Sequence, residues 1–303
     1  MSGMDARPRY DIVFVGHICH DELLPYQAPP IYATGSAVLC GALAAGRVGA
    51  RTAVVTRMAV ADEDILRPLH EAGVRTYVVP APETTRMRVV HPTEDLDERE
   101  MFQAANAGYF RPEDIPDIGA TFLHLAGITN QEFTLDLIRG LRQRGYSLST
   151  DMQSFVRQVD PRTREVKFAD VPDKRAIVAL LDRVKLDVVE AKILTGESDL
   201  ERAAVEIESW GCPEVVITRA EGVLARAGGR THYERCTNRN SSGRTGRGDT
   251  TFAAYMVWRL AHPPAEALAF ASALVSIKME QPTPFAGTLD DVLKRLAEAP
   301  AAR

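Results

Sequence analysis

The stretch Asp11-Ile-Val-Phe-Val-Gly16 is a short apolar run, rich in β-branched residues, that ends at a glycine. A run without polar alternation is typical of a strand that is buried on both faces of a parallel sheet. Similar runs recur along the chain and alternate with helical patterns. Further strands are predicted at 52–56, 122–125, 148–150, 184–188 and 214–217, and helices at 36–48, 65–72, 135–143, 176–181, 191–194, 200–210, 250–260, 265–279 and 290–297. This alternation predicts an α/β fold with three α/β/α layers and a mostly parallel central sheet.

The alternation is interrupted between residues 76 and 104. Short apolar runs at 76–79, 86–90 and 100–103 follow one another without helices, and prolines and an acidic stretch separate them. This pattern predicts an antiparallel patch inserted into the α/β scaffold. We expect a small β lid formed by parts of 22–34 and 76–104, within a single domain that spans 1–303.

The bulk properties argue against several classes of function. The 303 residues carry a formal net charge of -5, which leaves no basic excess to neutralise the phosphates of nucleic acid. The N-terminus shows no signal-peptide pattern, and no apolar run approaches the roughly 18–20 residues of a membrane span. The four cysteines form no CxxC pair, which favours free thiols over a metal site. We therefore expect a cytoplasmic protein that binds neither nucleic acid nor membranes.

The segment that says most about chemistry is Gly243-Arg-Thr-Gly-Arg-Gly-Asp-Thr250, directly before an apolar helix. Closely spaced glycines leave main-chain N–H groups open at a helix N-terminus, where unpaired donors and the helix dipole attract anions. The spacing nearly matches a Walker A loop, but Asp249 stands where that loop has lysine. A carboxylate beside bound phosphate is useful as a base that accepts a proton from an attacking hydroxyl.

Other interpretations of this segment stay open. The glycines form no more than a tight turn if Asp249 serves as the N-cap of the next helix. Arg247-Gly248-Asp249 is also an adhesion-type tripeptide, although nothing in the sequence indicates a secreted protein.

The segment resembles the C-terminal signature D-T-T-G-A-G-D of the PfkB/ribokinase family of carbohydrate and nucleoside kinases. Thr245, Gly246, Gly248 and Asp249 match it, whereas Arg247 replaces an alanine and the first two positions also differ. The resemblance implies a ribokinase-like fold. It also implies that Asp249 is the general base, that residues 246–248 (Gly246, Arg247 and Gly248) supply an anion-binding backbone, and that Thr245 lies beside the nucleotide.

On the acceptor side, Gly16-His-Ile-Cys-His-Asp21 is similar to the family's G-x-x-x-x-D, whose aspartate binds substrate hydroxyls. The stretch from Gly35 to Gly49 resembles the family's first signature, in which Ser36 replaces a glycine and Cys40 a substrate-contacting asparagine. The resemblance thus places Asp21, Gly35, Ser36 and Cys40 around the acceptor.

The stretch 150–157 resembles the D-x-Q-G-x-x-R motif of a subgroup that includes inositol kinase-like members. It implies that Gln153 and Arg157 reach the substrate or its phosphates.

On the donor side, Asp187-Val-Val-Glu190 resembles the N-x-x-E motif that helps to order Mg²⁺, so Asp187 and Glu190 are the expected metal residues. The stretch 215–222 resembles the nucleotide-side loop V-V-T-x-G-x-x-G. The resemblance implies nucleotide contacts from Thr218, Glu221, Gly222 and, on a later helix, Ser272.

The expected activity is in-line transfer of the γ-phosphate of ATP, with Mg²⁺, to a hydroxyl of a small sugar-like substrate. An inositol or nucleoside kinase of the same fold is the alternative within enzymes, because Ser36 and Cys40 remove the usual acceptor markers. A non-catalytic ligand-binding homologue is the alternative outside them. Lids of this family often pair, so a homodimer through the lid is also expected.

Overall fold

A computed structural model describes residues 7–95 and 98–298 of the chain. Its strands, in chain order, are β1 (Arg9–Val15), β2 (Cys19–Leu24), β3 (Ile31–Gly35), β4 (Thr52–Met58), β5 (Arg75–Pro80), β6 (Thr85–Val90), β7 (Glu100–Ala105), β8 (Gly119–Leu125), β9 (Leu148–Asp151), β10 (Arg157–Val159), β11 (Val166–Phe168), β12 (Arg183–Asp187), β13 (Glu214–Arg219), β14 (Gly222–Ala227) and β15 (Arg230–Arg235). Its helices are α1 (Ala37–Arg47), α2 (Arg67–Glu71), α3 (Leu135–Gln143), α4 (Gln153–Val156), α5 (Lys174–Val178), α6 (Val188–Thr195), α7 (Leu200–Ser209), α8 (Arg247–Trp258), α9 (Pro264–Met279) and α10 (Leu289–Glu298).

Nine strands form the central sheet, in the order β15-β14-β13-β12-β9-β8-β1-β4-β5. Strand β1, which contains the run 11–15, is third from the β5 edge and pairs in parallel with β8 and β4. The β13–β14 and β14–β15 pairs are antiparallel, and the other six neighbouring pairs are parallel. The predicted α/β fold with a mostly parallel sheet is confirmed.

Alternate residues of β1 face two separate cores, as the two-residue period of a strand requires. Val13 and Val15 join one buried cluster with residues of α3, α6 and α7. Ile12 and Phe14 join another with residues of α1, α8 and α9. The sheet is therefore covered by helices on both faces, which gives the predicted three layers.

The second sheet has four strands in the order β3-β2-β6-β7. It differs from the predicted antiparallel patch in two respects. The run predicted at 76–79 belongs to β5, which pairs in parallel with β4 at the edge of the central sheet. Within the small sheet, β2 and β6 are parallel, because β6 reaches β2 through the intervening α/β segment rather than through a hairpin.

Local sequence patterns missed several strands. Strand β3 and the end of β2 lie in 22–34, which the sequence assigned to the lid without locating strands in it, and β14, β15 and the β10–β11 hairpin were not predicted. Of these, β3 and β15 lie at sheet edges and β10 and β11 have three residues each, so their apolar patterns are weak. Residues 1–6 of the polar N-terminus, and residues 96 and 97 of the acidic stretch, lie outside the described residues.

In the described parts of the chain, no helix combines the length and the apolar content that a bilayer crossing requires.

Replacing Phe14 by alanine tests the core beneath α1. The Phe14 ring is 1% exposed, and it packs so closely on α1 that a Cβ on Gly41 would lie 2.7 Å from ring atom Cε1. We expect Phe14→Ala to lower the free energy of unfolding by about 3–5 kcal/mol, measured by urea titration. Tyr109→Ala is the control, because Tyr109 is 49% exposed and a surface change costs about 0.5 kcal/mol or less. A Phe14→Ala variant as stable as the control would contradict this account.

Candidate active site

The candidate site lies at the carboxyl ends of the parallel strands, where open α/β sheets bind their ligands. Strands β9 and β12 end there at Asp151 and Asp187. Helix α8 brings its first turn to the same edge: a Cβ on Gly248 would lie 2.9 Å from Lys185 Nζ and 3.6 Å from Thr218 Oγ1.

The first turn of α8 is built as the glycine-rich segment predicts. Helix α8 begins at Arg247, three residues before the predicted start, so Asp249 is inside the first turn and is not the N-cap. The N-cap is Gly246 with φ 73°, a left-handed conformation that favours glycine. A side chain there would also overlap Cys40 Sγ. The turn therefore presents first-turn amides at the site, next to one carboxylate.

Asp249 is half-buried among charged groups. Burial raises the pKa of its carboxyl, the positive charges of Lys185 and Arg157 oppose that rise, and the negative charge of Asp151 adds to it. A carboxylate with a raised pKa is a stronger proton acceptor once it is ionised.

A buried ion pair lies beneath this turn. Lys185 Nζ donates to Asp151 Oδ2 at 2.7 Å, and it lies 4.0 Å from Glu190 Oε2. Burial alone would lower the pKa of Lys185, but Asp151, Glu190 and Asp249 together raise it, so the amine is charged. Sequence reasoning assigned no role to Lys185 or Asp151. A lysine and an aspartate in strands of a predicted buried sheet were the available signal, because such groups are buried only when they are paired.

On the acceptor side, the structure brings Asp21, Gly35 and Cys40 together. Cys19 Sγ donates to Asp21 Oδ1 at 3.1 Å and contacts Gly35 O at 3.4 Å. A Cβ on Gly35 would overlap the Asp21 carboxylate. Burial raises the pKa of the Cys40 thiol to about 12, to which the negative charges of Asp249 and Asp21 contribute. Cys40 is thus a neighbour of both carboxylates, on β2 and on α8.

The side chains of Ser36 and Gln153 form hydrogen bonds with the protein main chain. Ser36 Oγ accepts a hydrogen bond from Leu39 N at 3.1 Å and caps α1. Its φ of 149° is one that glycine adopts more easily. Gln153 Nε2 donates to Gly127 O at 2.8 Å. Arg157, unlike Ser36 and Gln153, acts on the site through its charge, which lowers the pKa of both Asp249 and Glu190.

Asp187 and Glu190 form a reciprocal capping box at the start of α6. Asp187 Oδ1 accepts from Glu190 N at 2.8 Å, and Glu190 Oε2 accepts from Asp187 N at 2.7 Å. Burial raises the pKa of Glu190 to about 8. Its other oxygen, Oε1, is buried without a hydrogen-bond partner among the described residues.

These two carboxylates fit Mg²⁺ held largely by water and donor phosphates. In residues 7–95 and 98–298, no group of three His, Cys, Asp or Glu side chains converges to hold a metal ion. Mg²⁺ needs no such cage, because it keeps several waters and takes one or two carboxylates plus substrate phosphates. The unpaired Glu190 Oε1 is a suitable acceptor for a metal-bound water.

The residues expected around a nucleotide do not form one cluster, and several of them are engaged in contacts within the protein. Thr218 lies beneath Gly248, and Gly222 packs against Glu234 O at the start of β14. Glu221 forms an exposed pair with Arg219, with 2.8 Å between Oε2 and Nε. Ser272 Oγ donates to Arg235 O at 2.5 Å, so this hydroxyl joins α9 to β15.

Arg247 is half-buried at the first position of α8. Burial lowers the pKa of its guanidinium, whereas Cys236, Asp187 and Glu221 raise it. The guanidinium is therefore within electrostatic reach of Asp187 and Glu221. Thr245, two residues before Arg247, is exposed, and its carbonyl accepts a hydrogen bond from Lys278 Nζ.

Comparison with known proteins agrees with the kinase resemblance that the sequence indicated. The chain matches the pfkB family carbohydrate kinase profile over residues 20–288. A search of curated proteins gave no match. A pyrophosphate-dependent kinase in the ribokinase family, solved as a sulfate complex, is 31% identical and superposes with a TM-score of 0.86, over 93% of this chain and 99% of that chain.

Two further solved structures are similar. A pyrophosphate-dependent kinase in the ribokinase family, complexed with a pyrophosphate analog and myo-inositol, is 30% identical, with a TM-score of 0.84 over 93% of this chain and 99% of that one. Ribokinase from Arabidopsis thaliana, complexed with ribose and ATP, is 17% identical, with a TM-score of 0.76 over 95% and 99%. At that identity the likeness concerns the fold alone.

The fold and the family resemblance read from the sequence are confirmed, and the expected phosphotransferase class is confirmed with them. The chain belongs to the pfkB family of carbohydrate kinases, which transfer phosphoryl groups to hydroxyl acceptors.

Proposed function

We propose that this protein transfers a phosphoryl group to a hydroxyl of a small, sugar-like polyol, with Asp249 as the general base. The observation that carries the proposal is the position of the Asp249 carboxylate. It lies in the first turn of α8, beside the anion-binding amides and the charge of Lys185, and Cys40 on the acceptor side is its neighbour.

The reaction follows from this arrangement. An acceptor hydroxyl bound between Asp21 and Asp249 gives its proton to Asp249 while its oxygen attacks phosphorus. The bond between that phosphorus and the leaving oxygen of the donor breaks in line with the attack. First-turn amides of α8, at Arg247, Gly248 and Asp249, and the Lys185 ammonium stabilise the charge on the transferred group.

Asp187 and Glu190 would hold Mg²⁺ through its waters. When bound, the ion supplies positive charge that offsets the negative charge of the donor phosphates. The two carboxylates fix the start of α6 through their capping box, which keeps Glu190 Oε1 in place.

For the acceptor we propose a cyclic polyol of the inositol type within this class. Cys40 stands where the family's asparagine contacts a sugar, and the thiol of Cys19 lies beside Asp21. The acceptor side therefore offers thiols, which are weak hydrogen-bonding groups. A relative at 30% identity was solved with myo-inositol. A sugar or nucleoside acceptor stays the alternative. A non-catalytic homologue is disfavoured, because Asp249, Glu190 and the paired Lys185 would have no evident use in it.

The donor has two candidates. The family resemblance implies ATP, and the Arabidopsis ribokinase was solved with it. We favour inorganic pyrophosphate, because Arg247 adds a guanidinium suited to bidentate phosphate binding where the family has alanine. The hydroxyl of Ser272, expected near adenine, is used inside the protein. Two relatives at 30–31% identity are pyrophosphate-dependent.

The surroundings of the site support three further proposals. The small sheet is proposed to close over the acceptor as a lid of a single domain, since β2 carries Asp21. Its edge strand β3 exposes Ile31 and Tyr32 by 53% and 74%, and we propose a homodimer through this surface. All four cysteines are unpaired, which agrees with a protein that works in the reducing cytoplasm.

Asp249→Asn tests the base. It should lower kcat by about 10²–10⁴-fold, because the amide cannot accept the proton, while donor binding measured by calorimetry stays close to wild type. Asp290→Asn is the matched control, since Asp290 is an exposed acid in the first turn of α10. A variant that keeps more than about a tenth of the wild-type rate would show that Asp249 is not the base.

The pH profile should show the raised pKa of the base. Asp249 acts when ionised, so kcat/KM should fall as pH falls through its pKa, which burial has raised. Arg157 lowers the pKa of Asp249 and of Glu190, so Arg157→Gln should move the acidic limb to higher pH. Initial rates across the pH range measure this, with the exposed Arg139→Gln as control. If the acidic limb of the Arg157→Gln profile stays at the wild-type pH, Arg157 does not influence the pKa of the base.

A donor and acceptor screen tests the rest of the proposal. We expect consumption of pyrophosphate with myo-inositol, compared with ATP and with ribose, fructose and adenosine. Arg247→Ala should raise the KM for pyrophosphate by about 10-fold or more, the value of one charge-assisted hydrogen bond. The exposed Arg230→Ala serves as control. Consumption of ATP alone would establish the other donor, and tight polyol binding without turnover would favour the non-catalytic alternative.

A further inference from the structure

Helix α9 carries one buried cation in an otherwise apolar stretch. Lys278 lies one residue before the end of α9 and is 2% exposed. Its Nζ donates to Gly243 O at 2.6 Å and also to Thr245 O. Both carbonyls belong to the short loop that leads into the first turn of α8.

The same loop is fixed to α9 by its main chain. Gly243 N donates to Met279 O at 2.8 Å. The Gly243 Cα packs so closely that a Cβ there would lie 2.7 Å from Lys278 O and would overlap Gln281 O. The loop 243–245 therefore rests on the C-terminal end of α9, and its carbonyls at 243 and 245 face the Lys278 ammonium.

The charge of Lys278 reaches the site itself. Burial lowers the pKa of its amine, whereas Cys40 and Asp249 raise it and Arg247 lowers it. All three residues lie in or beside the first turn of α8. The ammonium therefore acts electrostatically on this turn, and Lys278 is itself 2% exposed.

An apolar side chain would fill this position at lower desolvation cost, since burying a charge is expensive unless it is paired. What the ammonium adds is a partner for two carbonyl oxygens. Left without it, these oxygens would lose their hydrogen bonds, or would turn toward the donor site and repel phosphate.

We propose that Lys278 is a positioning residue for phosphoryl transfer, a built-in cation that keeps the carbonyls of Gly243 and Thr245 turned inward and thereby holds the first-turn amides of α8 toward the donor. The role rests on the proposed use of this turn as the phosphate site. It has a consequence for the whole enzyme. Carbonyl oxygens are also the ligands of K⁺ and similar ions, so a chain that carries its own ammonium here needs no monovalent cation from solution.

The first experiment uses the wild-type protein. Initial rates are measured in sodium, potassium, ammonium and tetramethylammonium chloride at constant ionic strength. We expect rates that agree within about 2-fold, since Lys278 already occupies the position between the carbonyls. A strong requirement for potassium or ammonium would overturn the proposal, and this outcome does not depend on whether any variant folds.

The second experiment removes the ammonium. Lys278→Met should lower kcat and weaken pyrophosphate binding, each by about 10-fold or more, and leave the acceptor KM within about 3-fold. In Lys278→Ala, added ammonium or methylammonium should restore part of the lost rate. Lys192→Met on α6 is the control, because Lys192 is exposed. Circular dichroism and thermal melting check that each variant is folded.

The outcomes separate the two proposals. A folded Lys278→Met variant with wild-type kcat and pyrophosphate affinity, or a Lys278→Ala variant that no small cation restores, would show that Lys278 only packs. If the wild-type protein binds pyrophosphate but turns over no donor, the proposed function fails. Calorimetry with pyrophosphate on wild type and Lys278→Met still decides the role of Lys278 in that case.

Discussion

The arrangement of the site depends on one buried ammonium shared by several carboxylates. Lys185 pairs with Asp151 at 2.7 Å and is also stabilised by Glu190 and Asp249. Three carboxylates at one sheet edge would repel each other and any phosphate, and burial raises the pKa of Asp249 and of Glu190. The charge of Lys185 opposes that rise at Asp249 and Glu190. It thereby favours the ionised forms of the proposed base and of a candidate metal residue, although the pKa of each stays above its ordinary value.

The anion site itself is held from two sides. Strand β12 brings Lys185 against Gly248, and helix α9 brings Lys278 to the carbonyls of the preceding loop. Both contacts rely on glycine, because a Cβ on Gly248 or Gly243 would meet atoms closer than van der Waals contact allows. The polarity of the loop follows: the carbonyls of Gly243 and Thr245 face Lys278, and in the proposed function the first-turn amides face the donor. A helix N-terminus becomes a phosphate site when its loop is fixed in this way.

The acceptor side is assembled from both sheets. Asp21 lies on β2 of the small sheet, Cys40 on α1 above the central sheet, and Asp249 on α8. Side chains of Cys19, Met87, Met101, Ile128, Val159 and Val166 form a third apolar cluster that joins the small sheet to the body. Movement of the small sheet would therefore change the distance between Asp21 and Asp249, so in the proposed function closure of the lid would align the acceptor.

The sequence by itself determined the α/β class, the mostly parallel sheet and the glycine-rich turn before α8, because buried strands and helix starts are local patterns. It also named Asp21, Asp249 and the pair at 187 and 190 through motifs that are contiguous in the chain. Only the tertiary structure decided that 76–79 joins the central sheet, that β2 pairs in parallel with β6, and that Ser272 bonds inside the protein. It alone placed Lys185 and Asp151 against the first turn of α8 and Lys278 against the loop before that turn. Their partners lie far away in the chain, and whether a buried charge is paired depends on what the fold places beside it.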